Sequence, residues 1–440
     1  MTVVVIAASV ALALLSAPAP AQQPAPSAER FLRLEDLERM AIERNPTVGQ
    51  AAAALRAAEG RQVQVGLWPN PTIGYQAEDI TARDPDRGKH FVFLEQTFVT
   101  AGKLAHARRG AEHARAQAEA GRAAQRQRVL NTVRLVYYEA LGAARIVEVR
   151  RELARIGREA VDVSGELFNI GQADRPDVLE AEVEAERMAL DLIRAENDLE
   201  RVWRVLAAAV GDPSLAPAPL AGDIEAEVPA VDGDAILVRV LADSPEVLAA
   251  RADVDRARAA LRRARAERFP NVVVRGGLGY NFEHDARDRD VGVEAFVEIG
   301  VPLPLFDRNQ GAIAAAEAEV ARVEREVERL ELDLRGRLAS VMRRHRDATR
   351  AVDRYRREIL PRARHAYDLY LRGFRQMAAS YPQVLIAQRT LGQVRADYIR
   401  ALVDAWQNAV ILNGLLLTGG LDAPPSPGDE PGRARAAASD

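Results

Sequence analysis

A mainly α-helical fold, in which very long coiled-coil helices carry short β-hairpins, is predicted by three observations on this 440-residue chain. The first is a change of hydrophobic period inside one stretch. Val291, Val293, Ala295, Val297, Ile299 and Val301 alternate with Gly292, Glu294, Phe296, Glu298 and Gly300, as in a strand with unlike faces. Pro302 and Pro304 stop that strand. Beyond Asp307-Arg308-Asn309-Gln310-Gly311 the apolar residues Ile313, Ala316, Val320, Val323, Val327, Leu330 and Leu334 recur at three and four, a coiled-coil seam. The second observation is that Leu104 to Arg175 contains no proline, so helix over most of it would be on the order of 100 Å long. The third is that the order of elements occurs twice, offset by roughly 200 residues.

Composition agrees. Charged residues make up 28% and aromatics 5%, with Arg and Glu interspersed, which suits long helices with alanine-lined contacts. The net charge of -4 is small and gives no sign of a nucleic-acid partner. The chain has no cysteine, which removes disulfides, thiolate metal sites, cysteine catalysis and a lipid-modified cysteine. Val3 to Leu15 is an apolar run of signal-peptide length, followed by small residues offering Ala-x-Ala cleavage after Ala19 or Ala21, so residues 1–21 read as an export signal. No Lys or Arg precedes the run, which leaves an upstream start or an atypical signal open.

Repeat 1 is expected over residues 29–210. Leu32 to Leu67 reads as a helix interrupted at Asn45-Pro46, because the residue before proline is pushed out of the helical region. Trp68-Pro69-Asn70-Pro71 ends it. Strands follow at Thr72 to Ile80 and His90 to Phe98, around a polar loop, and Thr100-Ala101-Gly102-Lys103 leads into the long helix. Near Phe168-Asn169-Ile170-Gly171 the pattern breaks, with Gly171 at a helix end, Asp174 as an N-cap and Pro176 in the next first turn. A further helix runs to Val210, and Pro-rich 211–232 reads as a linker. Repeat 2 is expected over 233–418, with Ser244-Pro245 answering Asn45-Pro46, strands Asn271 to Phe282 and Val291 to Val301, a long helix from Ala312 to about Arg372, and Gly373 answering Gly171. Residues 419–440 read as a disordered tail.

No segment after the signal supplies about 18 uncharged apolar residues for a membrane helix, so any later contact with lipid must be made by strands. Val272, Val274, Leu278, Tyr280 and Phe282 share one face, while Arg275, Gly277, Gly279 and Asn281 share the other. Strands of about ten residues with terminal aromatics suit an outer-membrane span. Four strands cannot close a barrel, and lipid does not tolerate open edges, so several chains must contribute to one barrel. A soluble two-faced sheet is the alternative, but it needs an apolar layer that charged heptad helices do not supply. The narrow, alanine-rich helix stripes fit a hollow tube continuing such a barrel.

The duplicated order, Trp68-Pro69-Asn70-Pro71, Gly102-Lys103, the run Pro302-Leu303-Pro304-Leu305-Phe306-Asp307-Arg308-Asn309-Gln310-Gly311 and the Gly171 and Gly373 segments together resemble the TolC-like outer membrane efflux proteins. The resemblance covers nearly the whole chain after the signal. It implies a homotrimer, a twelve-stranded β-barrel in outer-membrane lipid, a periplasmic helical tunnel, and docking to an adaptor protein and an inner-membrane pump. The Pro-Leu-Phe-x-Arg-Asn-Gln-Gly run looks most like the branch serving heavy-metal pumps of the cobalt-zinc-cadmium type. By the same resemblance the periplasmic entrance lies at Phe168 to Asp177 and Tyr370 to Gln383, the second break carrying the extra residues Arg375 to Ser380.

Asp174, Arg175 and Asp177 at one break and Arg372 and Arg375 at the other are candidates for ion pairs that hold the entrance shut, against a plainer role as caps and solvated turn charges. Arg275, Glu294 and Glu298 are candidates for the barrel lumen, where the two glutamates would favour cations or merely keep the bore wet. His106 and His113 are the one suggestive histidine pair, too few for a metal site. No nucleophile elbow, phosphate loop or zinc-protease signature is present, so neither catalysis nor a cofactor is expected. Two other functions remain open at this level: a secreted coiled-coil scaffold, and a conduit of the same architecture passing polypeptide.

Overall fold

The computed structural model describes residues 31–80, 88–284, 289–376 and 378–424. The expected signal segment, the hairpin loops at 81–87 and 285–288, Met377 in the second break and the tail from 425 lie outside the described residues.

The chain opens with helices α1 (Leu34–Arg44) and α2 (Pro46–Gln64), strands β1 (Thr72–Glu78) and β2 (Lys89–Phe98), and helices α3 (Lys103–Asn169) and α4 (Arg175–Val210). The order then returns as α5 (Gly233–Asp243), α6 (Pro245–Ala266), β3 (Val272–His284), β4 (Asp290–Gly300), α7 (Gln310–Arg354), α8 (Leu360–Arg375) and α9 (Tyr381–Asn413). Proline sets the α1–α2 joint as expected. Asn45 is held extended before Pro46, its side chain accepts from the Thr47 amide at 3.0 Å, and its own amide donates to the Ala209 carbonyl at 2.9 Å. Ser244 takes the same extended conformation before Pro245.

The two hairpins lie side by side in one antiparallel sheet of order β1-β2-β3-β4, leaving β1 and β4 as its edges. Left-handed residues make the corners from sheet to helix: Ala101 and Gly102 before α3, and Asn309 before α7, where the Asn309 side chain donates to the Ala264 carbonyl at 2.8 Å. The coiled-coil seam is used, Val323 and Leu334 being buried, and Val320 and Val327 packing on Val254 and Ala257 of α6.

One helix differs from expectation. The span from Ala312 to about Arg372 is not one regular helix: Tyr355–Ile359 form a π turn between α7 and α8, with the Leu360 amide bonded to the Tyr355 carbonyl. Pro361 is the cause. It lacks an N–H, and its ring would strike the carbonyl four residues back in a regular helix, so the wider turn absorbs the misfit.

Residues 211–232 are not a free linker either. Trp203 donates its indole N–H to the Leu215 carbonyl at 2.9 Å, Trp406 does the same to Ile224 at 3.1 Å, and the Tyr137 hydroxyl donates to Ala221. Ile224 is buried among Val352, Tyr398, Leu402 and Ala405. Leu32 pairs with this segment as a short parallel bridge to Leu220. Gly420, expected within a disordered tail, is instead held in place: its carbonyl accepts from Thr47 Oγ1 at 3.0 Å and from Gln125 Nε2 at 3.1 Å. Gln125 is fully buried, so its amide requires an acceptor and fixes the chain there.

Candidate functional site

Two regions carry the functional residues named from the sequence. The first is the sheet. Its aliphatic face holds Ile73, Tyr75, Val92, Leu94, Leu278, Val293, Val297 and Ile299, with Val293 and Val297 each 77% exposed. Nothing among the described residues covers this face. No described helix is long and apolar enough to cross a membrane, and among the described residues this sheet face is a large uncovered apolar surface.

The opposite face carries Arg275, Glu294 and Glu298 together. Arg275 Nη1 lies 3.9 Å from Glu298 Oε2, its Nη2 donates to Gln76, and its guanidinium stacks 3.7 Å above the centre of the Phe93 ring. Glu294 accepts from the buried Asn281 amide at 3.1 Å. The carboxylates are thus not bare: one faces a guanidinium and the other an amide. Sequence reasoning placed Phe296 on this face by alternation, but it did not identify Phe91 and Phe93 as their companions. The period-2 pattern of Lys89–Phe98 held that signal, and the cross-strand register that makes them neighbours is not written in any single strand.

The second region is the tip of the helical body. Helix α3 ends in a left-handed Gly171 (φ 74°), with Gln172 N–H bonded to the Leu167 carbonyl at 2.8 Å and Gly171 N–H to Phe168 at 3.0 Å, a Schellman closure. Asp174 and Asp177 then form a reciprocal capping box at the start of α4. The second break is built differently. Gly373 lies inside α8 rather than past its end, its carbonyl taking the Ala378 N–H at 2.8 Å, and Ser380 pairs with Gln383 in a neutral capping box.

The five charged residues proposed for the entrance are not brought into mutual ion pairs within one chain, among the described residues. Arg372 donates to the Asp368 carbonyl of its own helix at 3.2 Å. Instead, the α4–α9 pairing at the tip is made by Arg389 and Glu184 at 3.6 Å, which sequence reasoning missed. Between the two breaks lies a cavity of about 580 Å³, lined by Asp177, Glu180, Glu184, Phe374, Tyr381 and Arg389. The Tyr381 and Phe374 rings lie tilted against each other with centroids 4.9 Å apart, and burial pushes the Tyr381 hydroxyl up to about 12. No group of three or more His, Asp or Glu among the described residues is placed to hold a metal ion.

Comparison with known proteins agrees with this geometry. The sequence profile of the family "Outer membrane efflux protein" matches residues 37–212 and 236–416. The cobalt-zinc-cadmium resistance protein CzcC of Cupriavidus metallidurans is 27% identical over 385 residues, 88% of this chain and 90% of that protein. Among solved structures, CusC superposes with a TM-score of 0.74 at 15% identity, covering 91% of this chain and 96% of that one. The open-state MtrE channel of Neisseria gonorrhoeae gives 0.72 at 17% identity, covering 89% and 90%; at such identity these likenesses bear on the fold. With both repeats matched, the chain belongs to the outer membrane efflux protein family, and it resides in the outer membrane with its helical body extending into the periplasm.

Proposed function

We propose that the chain is a passive outer-membrane tunnel, three copies of which close a twelve-stranded barrel above a helical tube, and that it conducts solute handed over by a periplasmic adaptor and an inner-membrane pump. The observation that carries this reading is the four-stranded sheet, apolar and uncovered on one face, polar and glycine-rich on the other, with edges at β1 and β4. In lipid such edges must be paired, and a neighbouring copy supplies the partner. Divalent heavy-metal cations are the proposed cargo, supported by the similarity to CzcC over most of both chains. The channel performs no chemistry on that cargo, and Glu294 and Glu298 on the lumen side bias the bore toward cations.

The test is growth of a strain lacking the gene in cobalt, zinc and cadmium, together with recordings of the purified trimer in planar bilayers. Loss of resistance to these metals, restored by the gene, is expected; unchanged resistance sinks the metal assignment, and recovery in the soluble fraction sinks the channel. At the entrance, Arg372 and Arg375 of one protomer are proposed to face the Asp174, Arg175 and Asp177 segment of the next. Reversing both, Arg372→Glu with Arg375→Glu, is expected to raise single-channel conductance, and an unchanged conductance removes them from the gate.

A further inference from the structure

The register places Gly74 opposite Phe93, Phe93 opposite Gly277, and Gly277 opposite Phe296, so glycine and phenylalanine alternate across all four strands at one level. The rings do not stand off the sheet. A Cβ built on Gly74 would meet Phe93 Cζ at 2.3 Å, and one on Gly277 would meet Phe296 Cε1 at 2.5 Å. Each ring therefore lies flat on the backbone of the glycine one strand back, where any side chain would evict it. One row nearer the hairpin turns, Phe91 lies likewise on Gly279, a Cβ there coming within 2.4 Å of Phe91 Cδ1. Phe91 and Phe296 meet edge to face with centroids 5.2 Å apart, and Arg275 lies along Phe93, so the bulkiest groups of this face are held against the wall.

We propose that Gly74 and Gly277 set the bore of the barrel: they are seats that keep Phe93 and Phe296 out of the path of solute, and the two rings are a constriction that appears when a seat is filled. The inference rests on this face being the lumen. Side chains on a strand otherwise stand roughly perpendicular to the sheet, and threefold repetition would bring every evicted ring into the bore together. The seats differ as probes. The nearest atoms to a Cβ on Gly74 all belong to the Phe93 ring, whereas one on Gly277 or Gly279 would also strike the carbonyl of Val92 at 2.9 Å or His90 at 2.2 Å and so deform the sheet itself.

Absence of cysteine makes a direct test possible. Gly300 sits on the same face, paired with Val273, closer to the helices than the ring row, and a Cβ there meets nothing within 4 Å. In Gly300→Cys, a bulky membrane-impermeant methanethiosulfonate added outside intact cells must pass the rings to reach the only thiol, and the periplasmic entrance plays no part. The expected result is fast modification in Gly300→Cys, a several-fold slower rate when Gly74→Val is added, and recovery when Phe93→Ala is added to both. An unchanged rate with Gly74→Val overturns the proposal. So does a triple variant as slow as the double, because the slowing would then come from strand distortion. If Gly300→Cys alone is never modified, the lumen reading falls and this proposal with it. Should Gly74→Val fail to assemble, Gly74→Ala fills the same seat and is read in the same way.

Discussion

Helix α3 runs 67 residues without interruption, whereas the matching pole of the second repeat is divided into the 45-residue α7, a five-residue π turn and the 16-residue α8. The two poles reach nearly the same length, so Pro361 has been absorbed without shortening the second. Their interiors differ in a second way. In the first repeat burial pushes Tyr137 up to about 12 and Tyr138 in the same direction, so both are silent at ordinary pH. The second repeat buries His345, pushed below its ordinary 6.5 by desolvation, while Asp404 stays exposed and is only partly desolvated, enough to push it above its ordinary 3.8. Duplication has kept the element order while letting the regularity of the pole and the groups it shelters diverge between the copies.

The largest expected effect probes what the repeats still share, the tryptophan each sends to the segment between them. Trp203→Ala should cost about 3–5 kcal/mol, as for truncation of a buried aromatic, and it also orphans the Leu215 carbonyl. Trp406 is half-buried and stacked on Tyr138, so Trp406→Ala should cost less. Denaturant unfolding of the purified protein followed by circular dichroism measures both, and equal losses would mean that the two sides are braced alike. Next comes the pole itself. Glu159→Pro, within about two turns of the same height on α3, has no wide turn to receive it and should cost ~3 kcal/mol. Pro361→Ala should change stability by less than ~1 kcal/mol, since it removes a ring the fold already accommodates. A Glu159→Pro protein as stable as its parent would show that α3 forms a π turn as readily as its counterpart.

The smallest effect concerns pH. His345 has a folded value below the unfolded one, so its contribution is present above pH 6.5 and is lost as pH falls through the folded value. Asp404 acts in the opposite sense. Its folded value is raised, so the stability linked to it is present below pH 3.8 and lost as pH climbs through the raised value. His345→Leu should flatten the loss of thermal stability on the acid side of pH 6.5, whereas Tyr137→Phe should leave the profile between pH 5 and 8 unaltered.

Much of this architecture is legible before any coordinates. Local rules suffice at Asn45-Pro46, at Gly171 and at the Asp174 cap, because proline, glycine and aspartate act on their own backbone. The alternation from Val291 to Val301 likewise announces two unlike faces. Pro361 shows the limit. The seam from Ile313 to Leu334 makes the helix plain, but nothing local decides whether a later proline ends, bends or widens it; that depends on what the neighbouring helix can accept. The helical tip shows another. Gly171 and Gly373 look equivalent by offset, yet one closes a helix and the other lies inside one, since extra residues moved the second break. At the sheet, the four strands hold five phenylalanines and six glycines, but which ring rests on which glycine follows only from register.

Gly420 lies against Thr47 and Gln125, and Leu32 lies against Leu220. The described chain thus enters near Leu32, crosses from one repeat to the other, and leaves near Gly420 within a single belt around the helical body. By the helical rise, Gln125 lies roughly 30 Å along α3 from the sheet and about 65 Å from the tip. A fluorescent domain or affinity handle appended past residue 424 would leave the body at mid-height, clear of the sheet and of the helical tip. Labelled chains are therefore expected to keep both ends unobstructed, which suits the protein to being counted and tracked in living cells.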